Sequence, residues 1–380
     1  MPDVSPLIWA LVLAALVLGI VAGHFGWGKR WPRPFGKLHP DYLTGLDYLV
    51  TEQPDRALDM FLKLMDANAD TIETHFALGS LYRRRGEVER AIRIHQNLLA
   101  RAALAPEHRE QALLALAQDY LRAGLLDRAE GLLQQVSEVP RLRASALDAL
   151  RGVYERQHEW QQALETYRQL ARIKAAPPRL VAAHYLCEIA AVAMERGDIG
   201  AARNLLRQAR HEITPFPRAA LLRSQIAERE GKPELAVRLL RGALRESPKL
   251  LQSELPHLLD LVGPERRDAL LAELAAQAQA RDSGELKRLV FAAISADLGG
   301  AAPLRAAIEA VFVQDETLNA VWQAGRGQIE GIAKEIGALL AHAERYRCSE
   351  CGFAGHSFYW HCPACKSWDS FESYAMVKLR

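Results

Sequence analysis

Apolar side chains follow two patterns along this chain. From Leu7 to Val21 they run almost without a break, and no Asp, Glu, Lys or Arg occurs between Val4 and Gly28. Further on they recur at helical spacing, in pairs of helix-length segments with polar breaks between. The clearest pair is His75–Leu99, HFALGSLYRRRGEVERAIRIHQNLL. Small residues, Gly79 and Ala91, fall where two helices would cross, Tyr82 follows the first, and Gly86 with Glu87 separates the halves. Moving back 34 residues reproduces the template as Gly45, Tyr48 and Ala57, with Phe61 in the place of His95.

A 34-residue helix–turn–helix period with small residues at these points is the tetratricopeptide (TPR) signature. The first unit is Tyr42–Met65. The third aligns Ala117, Tyr120, Gly124 and Ala129, after a short insertion near Ala105 and Pro106. The fourth keeps Tyr154 and Ala163 with Tyr167 in the large position, and the fifth, looser, has Ala190, Gly197, Ala202 and Leu206. The sixth has Ala227, Gly231, Ala236 and Leu240, then Pro248 as a stop. From Leu250 to Glu344 the template fades while helical patterning persists, as in Arg267–Gln279 and Glu330–Glu344, which predicts degenerate helix pairs. Small residues let paired helices approach, and one unit cannot bury its apolar face alone. The prediction is an all-α solenoid whose named Gly, Ala and Tyr positions are core, with partners meeting other residues of its concave surface.

The apolar run near the N-terminus is just long enough for one transmembrane helix. A cleaved signal peptide competes, but it wants a basic leader and the only side-chain charge before the run is Asp3. Lys29, Arg30, Arg33 and Lys37 follow before the first acid, Asp41, so the positive-inside rule puts the N-terminus outside and the rest in the cytoplasm. Gly19 and Gly23 form a GxxxG pair, a spacing used for helix contact in membranes and also met by chance; a homo-oligomer stays open. Pro32, Pro34, Gly36 and Pro40 make a stiff juxtamembrane linker.

Net charge changes the picture by exclusion. At +2 over 380 residues the chain lacks the basic footprint of a nucleic-acid binder. No P-loop, HExxH, GxSxG or GxGxxG is present, which speaks against an enzyme. Cys187 sits on an apolar helical stretch and reads as a buried structural thiol. The other four cysteines are in the tail, YRCSECGFAGHSFYWHCPACKSW, as two CxxC pairs: Cys348 with Cys351 and Cys362 with Cys365. The short spacing turns two thiolates onto one ion, and four thiolates suit zinc or a single iron. A disulfide conflicts with a reducing cytoplasm. His356 and His361 are not needed as ligands, and a closed four-thiolate site leaves no open position for Lewis-acid catalysis. Eight aromatics between Tyr346 and Tyr374 read as the core of a small metal-dependent fold rather than as base-stacking platforms.

Charges within the array have two readings. Arg83, Arg84 and Arg85 end a first helix, where cations suit the dipole, and Arg90 and Arg93 flank Ala91 and Ile92. A solvated face accounts for them. A partner-binding strip is the alternative, with Arg83, Arg84, Arg90 and Arg93 as its positions.

An N-terminal anchor, a TPR array and a rubredoxin-like ribbon together resemble the lipopolysaccharide assembly protein B family of Gram-negative bacteria. The resemblance spans essentially the whole chain and is densest at RGEVERAIRIHQ, AHYLCEIA, YRCSECGF and YWHCPACKSW. It implies a protein of the bacterial inner membrane facing the cytoplasm. It implies restraint of lipopolysaccharide synthesis by promoting degradation, by a membrane-bound ATP-dependent zinc metalloprotease, of the deacetylase that commits material to lipid A. It also implies gathering of other lipopolysaccharide-synthesis proteins, and a ribbon packed on the array. Cys348, Cys351, Cys362 and Cys365 would then be the metal ligands, with iron favoured and zinc possible. The expected organisation is an anchor at 1–28, a linker at 29–40, an array at 41–345 with six recognisable repeats to about 249, and a metal-binding domain at 346–380. The rival readings are a rubredoxin-like redox module and a nucleic-acid-binding ribbon on a TPR scaffold.

Overall fold

The computed structural model describes residues 40–51, 53, 56–57, 59–61, 72–281, 283–296, 298, 302–314, 319–320, 323, 331, 334, 337 and 344–373. The anchor, the linker up to residue 39 and most of Glu330–Glu344 lie outside the described residues. Among the described residues, no helix is long and apolar enough to cross a membrane. Two compact units meet between Leu132 and Leu133.

The first unit holds α1 (Pro40–Val50), α2 (Ile72–Arg84), α3 (Val88–Leu99) and α4 (Pro106–Ala123). Its core contains Ala57, Phe61, Leu78, Leu81, Tyr82 and Ala91. The small positions are small for a measurable reason. A Cβ at Gly79 would lie 2.5 Å from the His95 ring, and one at Gly45 would lie 2.8 Å from Phe61, so each glycine seats the large residue of its second helix. His95 is fully buried, its Nδ1 2.5 Å from Oδ2 of the equally buried Asp119, while Arg83 donates to Oδ1 at 2.7 Å. One carboxylate thus ties α2, α3 and α4.

The chain passes through α5 (Leu126–Ser137) into the second unit. There follow α6 (Arg143–Gln157), α7 (Trp160–Arg172), α8 (Arg179–Glu195), α9 (Ile199–Glu212), α10 (Pro217–Arg229) and α11 (Pro233–Glu246). These pack as pairs: α6 with α7, α8 with α9, α10 with α11. The small positions Ala163, Ala202 and Ala236 are fully buried, as are Ala190 and, nearly so, Ala227. Most first helices end on a left-handed glycine, such as Gly124 at φ 76°. In the fourth pair His158 takes that place at φ 60°, which explains why no glycine marks the break there.

Beyond Pro248 the expected helix pairs continue as α12 (Leu251–Val262), α13 (Pro264–Arg281), α14 (Ser283–Ser295) and α15 (Arg305–Gln314). They share one leucine-rich core with α10 and α11, built around Leu240, Leu255, Leu271, Phe291 and Phe312. Pro248 opens a single 3-10 turn, Pro248–Leu250, that leads directly into α12. The chain ends its described course in a three-stranded antiparallel sheet, ordered β2 (Ala354–Gly355), β1 (Tyr346–Cys348), β3 (Phe371–Ser373). Register pairs Tyr346 with Gly355 and Cys348 with Phe371.

Candidate metal centre and its dock on the repeat array

Both CxxC pairs fold into the same backbone knuckle. In each, the amide four residues after the first cysteine donates to that cysteine's carbonyl at 3.0 Å: Gly352 to Cys348 and Lys366 to Cys362. The first cysteine's own amide donates five residues ahead, Cys348 to Phe353 at 2.8 Å and Cys362 to Ser367 at 2.9 Å. Gly352 (φ 75°) and Lys366 (φ 63°) supply the left-handed residue that reverses each turn. The glycine is a visible signal in the sequence; the lysine is not.

The knuckles bring Cys348, Cys351, Cys362 and Cys365 together, with all four sulfurs within 4.8 Å of one another. Sγ of Cys348 is 3.6 Å from that of Cys365, and Sγ of Cys351 is 3.7 Å from that of Cys362. A tetrahedral ion at about 2.3 Å from each sulfur requires sulfur–sulfur edges of about 3.8 Å, so the donor set fits one ion. Cys348 and Cys362 are buried and Cys351 and Cys365 exposed. Ser370 Oγ lies 3.2 Å from Cys348 Sγ and Ser367 Oγ 3.3 Å from Cys365 Sγ, where hydroxyls can donate to thiolates. Burial alone would raise the Cys348 thiol, but Ser370 and the amides of Cys351 and Glu350 lower it further, to about 6. The amide of Phe353 favours the Cys351 thiolate, yet desolvation and the neighbouring sulfurs push that thiol up to about 12. Sulfurs this close resist shared ionisation until a cation joins them.

The aromatics divide, contrary to the reading that all of them serve the ribbon's own core. Tyr346 and Phe371 are buried with Cys348 and Cys362, and Phe358 packs against them. Trp360 and Trp368 instead face the repeat array. The Trp368 ring lies between two imidazoles, His361 of the ribbon at 4.3 Å and His184 of α8 at 4.8 Å. Trp160 and Tyr185 meet it edge-on at 5.9 and 5.8 Å. Its indole N–H donates to Oε1 of Glu155 at 3.0 Å, an atom that also accepts from Tyr185 at 2.5 Å and Arg151 at 2.9 Å. Arg218 of α10 lies over both Trp360 and Trp368, at 5.7 and 5.8 Å, and donates to Glu188 at 2.7 Å. Lys249 Nζ donates to Oδ1 of Asp369 at 2.9 Å and sits over the Phe358 ring. The ribbon is therefore fastened to α6, α8, α10 and the turn before α12.

This dock is dry enough to perturb its titratable groups. Burial, with Arg218, His361 and Lys249 close by, holds His184 well below the ordinary imidazole range, and Arg218 Nη1 lies 3.1 Å from its Nδ1. Burial raises the Tyr185 phenol, and Arg151, despite its own burial, is held cationic by Tyr185 and Glu155. Cys187 is fully buried beside this layer on α8, its thiol pushed up to about 12 by burial, as expected of a structural cysteine.

Of the four arginines considered for a partner strip, Arg83 is mostly buried on Asp119, and Arg90 pairs with Glu87 at 2.6 Å and lies over Tyr82. Arg84 and Arg93 are exposed. The residues that the sequence did not single out are those of the dock: Glu155, His184, Arg218 and Lys249. Their partners stand up to 213 positions away, and nothing local marks them.

Residues 346–373 match the family described as a rubredoxin metal binding domain, and residues 74–110, 146–180 and 187–250 match tetratricopeptide repeats. Lipopolysaccharide assembly protein B of Escherichia coli (strain K12) is 30% identical over 371 residues, covering 93% of this chain and 95% of that protein. The protein of the same name from Haemophilus influenzae is 29% identical over 386 residues, covering 93% and 96%. Among solved structures, the crystal structure of MamA is 20% identical over 44% of this chain and 93% of its own, with a TM-score of 0.35. Pseudomonas aeruginosa PilF is 17% identical over 55% and 90%, with a TM-score of 0.34.

Proposed function

This chain belongs to the lipopolysaccharide assembly protein B family, and from that premise we propose that it is a non-catalytic adaptor regulating lipopolysaccharide synthesis. In this reading residues 1–28 anchor it in the inner membrane, the linker 29–40 follows, and the remainder works in the cytoplasm. The array brings the deacetylase that commits material to lipid A to a membrane-bound ATP-dependent protease. Confinement of the adaptor and the protease to one bilayer supplies high effective concentration without new contacts. Other lipopolysaccharide-synthesis proteins of the membrane assemble on the same scaffold.

Cys348, Cys351, Cys362 and Cys365 hold one metal ion, iron in the rubredoxin manner or zinc. The bound ion supplies a cross-link for a fold too small to stand on its own core. The observation that carries the reading is the attachment of that ribbon to α6, α8 and α10 through Trp368, Glu155 and Arg218 in a chain related over nearly its full length to the assembly proteins. Metal binding then stabilises the dock and thereby the array surface that partners meet. Arg84 and Arg93, exposed on the N-terminal unit, remain the first positions to change in search of that surface, ahead of Arg83 and Arg90, which have internal partners.

The test is the half-life of the deacetylase in cells carrying Cys348→Ser with Cys351→Ser, at matched levels of the adaptor. The expected result is a longer-lived deacetylase; an unchanged half-life refutes the role given to the ribbon. Removal of residues 1–28 asks the same of the anchor.

A further inference from the structure

The second unit has another polar feature, and the dock does not use it. Arg203, Arg207 and Arg210 stand four and three residues apart on α9 and so form one stripe along that helix. Arg223 of α10 joins them in lining a cavity of about 240 Å³, floored by Ile226, Leu235 and Leu239. One acid, Glu230, shares the lining, and its carboxylate is already engaged by Arg203 and by Lys232 at 3.1 Å. Four guanidinium groups thus surround one cavity with a single carboxylate among them.

Such a set repels itself. Burial, and then the charge of Arg210, pull Arg223 below its ordinary value, and no carboxylate offsets them. The energy is recovered when an anion enters. The guanidinium fork matches phosphate oxygens two at a time, and a phosphate monoester brings up to two negative charges and three acceptor oxygens. A lone carboxylate would leave most of this charge unmatched. The cavity is also separate from the ribbon dock. Arg218 and Arg223 are five residues apart on α10, about 140° around the helix, and Arg218 is the one that faces the tryptophans.

We propose that the cavity between α9, α10 and α11 is a binding site for a phosphate group, carried by a small molecule or by a lipid headgroup. The site stands independently of the adaptor reading, since it uses neither the ribbon nor the anchor.

The test titrates the full-length protein with inorganic pyrophosphate by calorimetry, and in parallel measures its co-sedimentation with neutral-lipid vesicles with and without phosphatidate. Arg207 and Arg210 are exposed, so Arg207→Gln with Arg210→Gln is expected to keep the parent melting temperature and to weaken binding of the phosphate probe by about tenfold or more. Arg207→Gln alone, a smaller change, is expected to weaken it less. Binding of soluble pyrophosphate identifies a free phosphate compound as the source, and binding only to phosphatidate vesicles identifies a headgroup; either supports the proposal. Binding of a glutamate peptide without either phosphate probe overturns it. So does phosphate binding that both variants leave unchanged, or no binding at all.

Discussion

Trp368 offers the sharpest perturbation of the dock, because its contributions separate. Trp368→Phe keeps a ring between His184 and His361 but deletes the N–H that donates to Glu155 at 3.0 Å. Glu155 keeps Arg151 and Tyr185, so the cost is at the low end for a hydrogen bond to a charged group, about 1.5 kcal/mol, or about tenfold in the docked-to-free ratio of the ribbon. Trp368→Ala also removes both ring stacks, at about 0.5–1.5 kcal/mol each, and the Arg218 contact, at about 0.5–2 kcal/mol. Such terms do not add in full, and the whole truncation of a packed Trp costs about 3–5 kcal/mol, which exceeds a hundredfold. Hydrogen exchange of residues 346–373 in the intact chain reads this ratio, and metal content measured alongside separates undocking from unfolding. The expected order of exchange is parent slowest, then Phe, then Ala, with metal retained in all three. Ribbon exchange in Trp368→Ala equal to that of the parent would refute the assignment of the dock.

The pH response follows from His184, which faces Arg218, His361 and Lys249 and is kept neutral in the fold. The unfolded chain takes up a proton near pH 6.5 and the folded chain does not, so stability is full above that pH and falls as pH drops below it. Melting temperatures between pH 7.5 and 5.5 should fall more for the parent than for His184→Gln. Gly79→Ala places a Cβ 2.5 Å from a His95 ring that Asp119 holds in place, and should destabilise by about 1–3 kcal/mol in denaturant melts. Gly131→Ala, on α5 with nothing within 4 Å of the new carbon, should stabilise by about 0.5–1 kcal/mol and serves as its control. Chelation should release about one ion per chain and expose Cys348 and Cys362, buried in the folded ribbon, to a thiol reagent; reagent uptake unchanged by chelation would argue against an ion at the cysteines.

What the sequence determined by itself is what short-range geometry repeats. Gly79 opposite His95 and Gly45 opposite Phe61 obey one packing rule 34 residues apart, and the buried Ala163, Ala202 and Ala236 repeat the second-helix small position of Ala91, so the helix pairs were legible from their period. The two CxxC pairs were legible because a metal knuckle is closed by residues only a few positions apart. His158 and Lys366 hid their left-handed turns behind side chains that ordinarily avoid them. Tertiary structure alone decided the rest. Trp368 looked like ribbon core and nothing local marked Arg218 until folding put them 5.8 Å apart, and Lys249 found Asp369 across 120 positions. A charge or an indole reads as surface or as core according to what stands opposite, and no local pattern encodes a partner so distant. The arginine-lined cavity has the same origin: the stripe on α9 was written in the sequence, but Arg223 from the next helix made it a site.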